Sequence, residues 1–171
     1  MKLPLTAKTL QSIVLFMAMG AWAQANVVTN NSDSDPGSLR AVIASAAPGS
    51  TITFAPALSG ATILLQTGQI NIDKSLTIDA SALASRVAIS GDADEDNEPT
   101  DLDSRIFEIS ATSTVVLKSL ILKQGKAPNG LTDMQGGHGG GILNHGNLTV
   151  MNSSFEDNVA GTGGASTGRG G

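Results

Sequence analysis

Apolar residues along this chain recur on a fixed template. Ile70, Leu76, Ile78 and Leu83 form one set, Ile109, Val115, Leu117 and Leu122 a second, and Ile142, Leu148, Val150 and Phe155 a third. Each set places its members at offsets 0, +6, +8 and +13, and the sets begin 39 and 33 residues apart. At +6 and +8 two apolar residues flank Thr77, Val116 or Thr149. That spacing reads as a strand whose outer two side chains share one face, because successive residues of a strand alternate. Polar turns on either side let the next strand bring the same face inward. A fixed template with variable spacers is the pattern of a solenoid. The expected fold is therefore all-β: a parallel β-helix with three strands per coil, its coils stacked by in-register backbone hydrogen bonds. Ile70, Leu76, Ile78, Ile109, Val115, Leu117, Ile142, Leu148, Val150 and Phe155 are expected to point into one aliphatic column.

The pattern differs before residue 50. Asn26–Thr29 reads as a short strand. Leu39, Val42, Ile43 and Ala46 then fall at i, i+3, i+4 and i+7, one apolar stripe of a helix. The helix is expected over residues 36–47, with Ser34 or Asp35 as N-cap, Pro36 in the first turn, and Pro48-Gly49 as the stop. It stands where a cap over the first coil is needed, since a β-helix end otherwise exposes unpaired strand edges. No second helix is expected after Ser50.

Further upstream, Lys2 and Lys8 precede a mostly apolar run from Leu10 to Met19, followed by Ala21-Trp22-Ala23 and Ala23-Gln24-Ala25 as two registers of a small-residue cleavage site. This is the order of a secretory signal peptide over residues 1–25, with the mature chain beginning at Gln24 or Asn26. The run is shorter than the roughly 20 apolar residues of a spanning helix, and no later stretch is long and apolar enough to span a bilayer. The organisation expected is thus a signal peptide at 1–25, a strand and capping helix at 26–50, β-helix coils at 51–160, and a Gly-rich end at 161–171 that resembles the start of another repeat.

Composition sharpens this picture. Removing Lys2 and Lys8 takes the formal charge from −5 to −7. There is no basic cluster to neutralise phosphates, so nucleic acid is not an expected partner. The chain has no cysteine and no tyrosine, and its one tryptophan, Trp22, lies in the signal region. Packing and backbone pairing alone must hold the fold, around a core with only Phe54, Phe107 and Phe155 as aromatics.

The most distinctive local chemistry is an acidic run. Asp92-x-Asp94-x-Asp96-Asn97-x5-Asp103 places oxygen ligands at positions 1, 3, 5 and 12 of a loop, with Asn97 at the position where a calcium loop turns on a left-handed residue. Asp92, Asp94, Asp96 and Asp103 are therefore expected ligands of Ca2+. Pro99 and the absence of flanking helices depart from the EF-hand pattern, and a solvated acidic insertion is the alternative. His138 and His145 stand seven residues apart with no assisting cysteine, and read as exposed loop residues. The run Gly136-Gly137-His138-Gly139-Gly140-Gly141 lacks the Lys-Ser/Thr of a phosphate loop. Asn144, Asn147, Asn152 and Asn158 read as turn or ladder asparagines.

Several of these segments carry a family likeness. Gly140-Gly141-Ile142 followed by Phe155-Glu156-Asp157-Asn158 is similar to the paired GGA(I/L/V) and FxxN motifs of polymorphic outer-membrane proteins, with Gly141 in place of the motif's Ala. Gly37-Ser38-Leu39-Arg40-Ala41-Val42-Ile43 resembles the CSLREA motif that starts the repeats of large bacterial surface proteins, with Gly37 in place of Cys and Ala41 in place of Glu. Ala47-Pro48-Gly49-Ser50-Thr51-Ile52-Thr53-Phe54 also fits that family, and the likeness runs from about Val27 to Ala160. The resemblance implies a right-handed parallel β-helix passenger, exposed at the cell surface, in the outer membrane or secreted. In many members it implies adhesion, here to a surface or matrix ligand, or no known activity, and it carries no catalytic residues. The functional expectation is a structural or adhesive scaffold. The alternative is a pectate-lyase-like carbohydrate-active enzyme, which needs acidic and basic groups converging on a sheet face. The strand segments carry few outward charges besides Lys118 and Glu108, so no enzymatic activity is expected.

Overall fold

The computed structural model describes residues 26–131 and 134–164. The predicted signal peptide and residues 165–171 of the Gly-rich end lie outside the described residues. Twelve short strands dominate: β1 (Val27–Val28), β2 (Thr51–Phe54), β3 (Thr62–Leu64), β4 (Ile70–Ile72), β5 (Leu76–Asp79), β6 (Val87–Ser90), β7 (Phe107–Ile109), β8 (Thr114–Lys118), β9 (Leu120–Lys123), β10 (Ile142–Asn144), β11 (Asn147–Met151) and β12 (Ser154–Glu156). They form three sheets, ordered β1-β2-β5-β8-β11, β4-β7-β10 and β3-β6-β9-β12, and every pairing within them is parallel. From β3 onward the chain visits the three sheets in strict rotation, so each strand pairs with the one three positions later.

The alternation read from the sequence explains the strands. In β5, β8 and β9 buried and half-exposed residues alternate, the pattern of a strand with one face in a core. Because the pairing is in register, equivalent residues stack into columns. Ile52, Ile78, Leu117 and Val150 form one column. Ile63, Ile89, Leu122 and Phe155 form another. All but Val150 and Phe155 belong to a single buried cluster that runs from Val28 to Leu122.

The template is correct at its centre and shifts at its ends. Leu76, Val115 and Leu148 are register partners, as are Ile78, Leu117 and Val150. At the first position, however, Ile70 pairs with Phe107, which pairs with Ile142; Ile109 instead pairs with Ile72. The strands β4 and β7 both carry two inward apolar residues, so a two-residue slip leaves the pattern unchanged. At the last position the partner of Leu122 is Ile89, not Leu83. Leu83 lies in a turn and packs only partly against the core, because the connection between β5 and β6 is longer than its equivalent between β8 and β9. The expected burial of Val150 and Phe155 is also corrected: they are 38% and 50% exposed. Their side chains follow the register of Leu117 and Leu122, but β11 and β12 are the outermost strands of their sheets among the described residues, so no neighbour covers their far side.

At the other end of the core lies α1 (Leu39–Ser45), the only α-helix among the described residues; Pro56–Leu58 forms a single 3-10 turn. It is shorter than the predicted 36–47. Gly37 adopts φ +86°, a left-handed conformation that a helix cannot contain, and a Cβ there would fall 2.2 Å from Thr29 Oγ1. The helix therefore starts after Gly37, and Ser38, not Ser34 or Asp35, is the N-cap, its side chain accepting from Ala41 N. The C-terminal turn ends at Ala46 in an extended conformation, and Lys74 donates to the carbonyls of Ala44 and Ala46. The predicted stripe of Leu39, Val42, Ile43 and Ala46 is buried in the common cluster. Leu39 is fully buried, so Leu39→Ala should lower stability by about 2–5 kcal/mol, read as a lower urea midpoint. A loss of only a few tenths would mean that the helix is not part of the core.

Candidate metal centre

The acidic run forms the connection from β6 to β7. Ser90 ends β6 with its hydroxyl donating to Gln124 Oε1 and accepting from Asp92 N. Gly91 must be glycine for this connection to leave the sheet, because a Cβ would meet Ser104 O at 2.1 Å. The chain then turns outward, with Glu95 and Asn97 both at φ 61°. Asn97 thus takes the left-handed conformation expected of it.

Three of the four predicted ligands come together. Asp92, Asp94 and Asp96 each offer a carboxylate oxygen, and these atoms lie within 4.8 Å of one another. Asp92 is buried, at 4% exposure, whereas Asp94 and Asp96 are exposed. Asp92 Oδ2 accepts from Asn97 N and from Gln124 Nε2, both at 3.2 Å. Asp92 Oδ1 is buried and has no hydrogen-bond donor. An unsatisfied buried acceptor costs about 1–3 kcal/mol. The Asp94 carboxyl sits above its usual range: partial desolvation raises it first, and the charges of Asp96 and Asp103 add to this.

The fourth predicted ligand has another role. Asp103 is not part of the cluster: Oδ1 accepts from Ala93 N at 3.1 Å and Oδ2 from Thr100 N at 2.7 Å. Two oxygens spent on backbone amides close the base of the loop. A position-12 carboxylate in an EF-hand is brought to the ion by the loop's entry into its second helix; here the chain after Asp103 enters a sheet through Ile106 and β7.

Gln124 ties this loop to the next strand layer, donating to Asn97 Oδ1 at 2.8 Å as well as to Asp92. Gln124 follows β9 at φ 53°, and the equivalent corner after β12 is Asp157 at φ 52°. Ser119 and Asn152 form a second pair of left-handed corners, at φ 56° and 49°, linked by a hydrogen bond from Asn152 Nδ2 to Ser119 Oγ. Asn158 donates to Leu122 O and accepts from Gly125 N. Asn152 and Asn158 are thus turn asparagines, as read. Gln124 escaped the sequence analysis because an isolated glutamine after a strand carries no signature of what it will face.

His138 and His145 are exposed, and neither belongs to a group of three or more metal-ligating side chains among the described residues. His145 lies 3.8 Å from Glu108. A cleft of about 490 Å³ opens beside Arg105 and Lys126. Arg105 donates to the carbonyls of His138 and Gly139 and to Gln69 Oε1, and burial pulls its pKa down despite the opposing charge of Glu108. Lys126 is paired with Asp101 at 2.7 Å. Outward charges on the strands also include Asp79, Lys123 and Glu156, more than Lys118 and Glu108 alone; Asp79 pairs with Lys118 at 3.2 Å.

A second buried carboxylate went unnoticed in the sequence. Asp33 receives Arg40 from α1 at 2.7 Å and both the amide and hydroxyl of Thr67. Arg40 also donates to the carbonyls of Gly68 and Gln69. This network fastens α1 to the turn between β3 and β4. Burial raises the Asp33 pKa, but the hydrogen bonds from Thr67 and Arg40, with the charge of Arg40, outweigh it and hold the carboxyl below its usual value.

Among the described residues no helix is long and apolar enough to cross a membrane. Comparison with protein-family models, curated proteins and solved structures gives no match.

Proposed function

We propose that this chain is an exported right-handed parallel β-helix, a structural or adhesive scaffold displayed at a cell surface, in the outer membrane or secreted, similar to the CSLREA-type and polymorphic outer-membrane proteins. The observation that carries this reading is the strict rotation of consecutive strands among three all-parallel sheets, with equivalent residues stacked in columns. Such a chain builds a long, rigid rod from short repeats, each coil needing only its neighbours. Its use lies in presenting an extended surface.

Two features add support. The halves of the paired motif meet: a Cβ on Gly141 would lie 3.0 Å from the Asn158 side chain, and one on Gly140 would lie 2.2 Å from Val159 O. Small residues in the first half are therefore what lets the second half approach. In the CSLREA-like segment, Ser38, Leu39, Arg40, Val42 and Ile43 cap, fill and fasten α1. The departure at Gly37 follows from its left-handed backbone, which disfavours the motif's Cys.

The scaffold reading also accounts for the charged groups near the sheets. Arg105 is spent on two backbone carbonyls and Gln69, Lys126 on Asp101, and Lys118 on Asp79. A lyase needs a free base above a sugar, and these three cations are engaged with backbone carbonyls, loop side chains or, for Lys118, the carboxylate of the adjacent strand. Fold alone does not decide between the two, so the test is functional. Exported protein is expected to begin at Gln24 or Asn26, to bind an immobilised matrix or cell-surface ligand in an overlay, and to release no unsaturated sugars from pectin. Exported protein that still begins at Met1, or metal-dependent release of unsaturated sugars, would overturn the reading.

A further inference from the structure

We propose that Asp92, Asp94 and Asp96 bind one hard divalent cation of the calcium class, and that this ion locks the residue 91–104 insertion onto the corner at Gln124. The inference does not depend on the scaffold reading. It rests on three observations that act together.

The first is geometry. Oxygens in a calcium shell lie 2.3–2.6 Å from the ion, so ligands can be separated by up to roughly 5 Å. The oxygens of the three aspartates lie within 4.8 Å of one another and fit inside such a shell. The donor set is all carboxylate, which selects a hard cation over a thiophilic or imidazole-seeking one.

The second is the buried oxygen. Asp92 is 4% exposed, and its Oδ1 has no donor even though Asn97 N and Gln124 Nε2 both reach Oδ2. Buried polar atoms without a partner are rare in folded proteins, and each calls for an explanation such as an ion or a water. A carboxylate held by donors on one oxygen and left bare on the other, beside two further carboxylates, is suited to hold a cation.

The third is charge. Among the described residues no lysine, arginine or histidine forms an ion pair with Asp92, Asp94 or Asp96, whereas Asp33, Asp79 and Asp101 each have one. The like charges of the triad have no ion-pair partner among the described residues, although Asp101 of the same insertion is paired with Lys126, and a bound cation supplies that partner.

The consequence is mechanical. Asp92 is joined through Gln124 to the corner after β9, and Asp94 and Asp96 stand on the outward turn of the insertion. One ion shared by all three holds that turn against the sheet stack. Asp103 contributes by closing the loop base and not by ligation. With three protein ligands and water completing the shell, the affinity belongs with weak extracellular sites, Kd on the order of 10⁻⁴–10⁻³ M.

The test is calorimetric titration of CaCl2 into chelator-treated protein, paired with melting in 10 mM CaCl2 and in NaCl of equal ionic strength. One binding event is expected. Calcium at about ten times Kd should raise the folded-to-unfolded ratio about ten-fold, with no such rise in NaCl. Asp94→Asn/Asp96→Asn changes two exposed residues and should fold normally, yet lose at least ten-fold in affinity together with the melting shift. Glu98→Gln, on the same loop outside the triad, should retain affinity within about two-fold. The proposal is overturned if the double variant binds and melts like the parent, if Glu98→Gln loses as much as the double variant, or if matched NaCl reproduces the calcium shift.

Discussion

Leu117→Asp should leave no cooperative unfolding transition, and Leu117→Ala should lower stability by about 2–5 kcal/mol, whereas Val150→Ala should cost about 1 kcal/mol or less. The two positions are equivalent in the repeat and are direct register partners in adjacent strands. What separates them is coverage. Leu117 is fully buried, with Ile78 on one side and Val150 on the other, while Val150 is 38% exposed. Removing three methylene-sized groups from Leu117 leaves a cavity that in-register neighbours cannot collapse into without breaking their own hydrogen bonds. Val150→Ala removes two such groups from a side chain that water already reaches. Asp at 117 adds an unpaired carboxylate to an all-aliphatic column, at a cost of several kcal/mol, a large share of a domain's total stability. Urea unfolding followed by far-UV dichroism measures all three. Equal losses at 117 and 150 would show that the stack is not the source of stability.

Asp33→Ala should cost about 3 kcal/mol, because it leaves the Arg40 guanidinium with backbone carbonyls but no countercharge and removes the acceptor of the Thr67 amide and hydroxyl. Breaking a buried pair from one side is more damaging than its net worth implies. The same network makes a pH prediction. The folded-state pKa of Asp33 is depressed, so its contribution is fully present above the ordinary carboxylate value near 3.8. It is lost as pH falls through the lower folded value. The melting temperatures of the parent and Asp33→Asn should therefore differ most at neutral pH and converge only as pH falls through the depressed folded value, below the ordinary carboxylate range. A difference that stays constant from pH 7 to pH 2 would show that the carboxylate charge contributes nothing.

The centre of the repeat was legible because it rests on a short-range rule. Leu76-x-Ile78, Val115-x-Leu117 and Leu148-x-Val150 must each face one way, and only one pairing aligns all three. The ends of the template were not legible for the same kind of reason. β4 and β7 each offer two inward residues, so Ile70 could match Phe107 or Ile109 without violating any local preference. Leu83 and Ile89 are both apolar residues following a turn, and only the path of the connection decides which one reaches the sheet. The acidic loop was readable as a run of oxygen ligands at odd positions, and Asp92, Asp94 and Asp96 do converge. Asp103 was misread because its role is set by which backbone amides the folded loop brings to it.

The sequence by itself determined the period-2 strands, the rotation of short apolar segments, the aliphatic core without cysteine or tyrosine, and the amphipathic stripe of α1. Each follows from local geometry, since a side chain's face is decided by its immediate neighbours along the chain. Tertiary structure alone decided the register at β4 and β7, the partnership of Asp33 with Arg40 and Thr67, the union of Asp92 with Gln124, and the exposure of Val150 and Phe155. These depend on residues 7 to 37 positions apart in the chain meeting in space. Nothing in a residue's own type or spacing records whether a neighbouring strand, a charge or only water will lie against it.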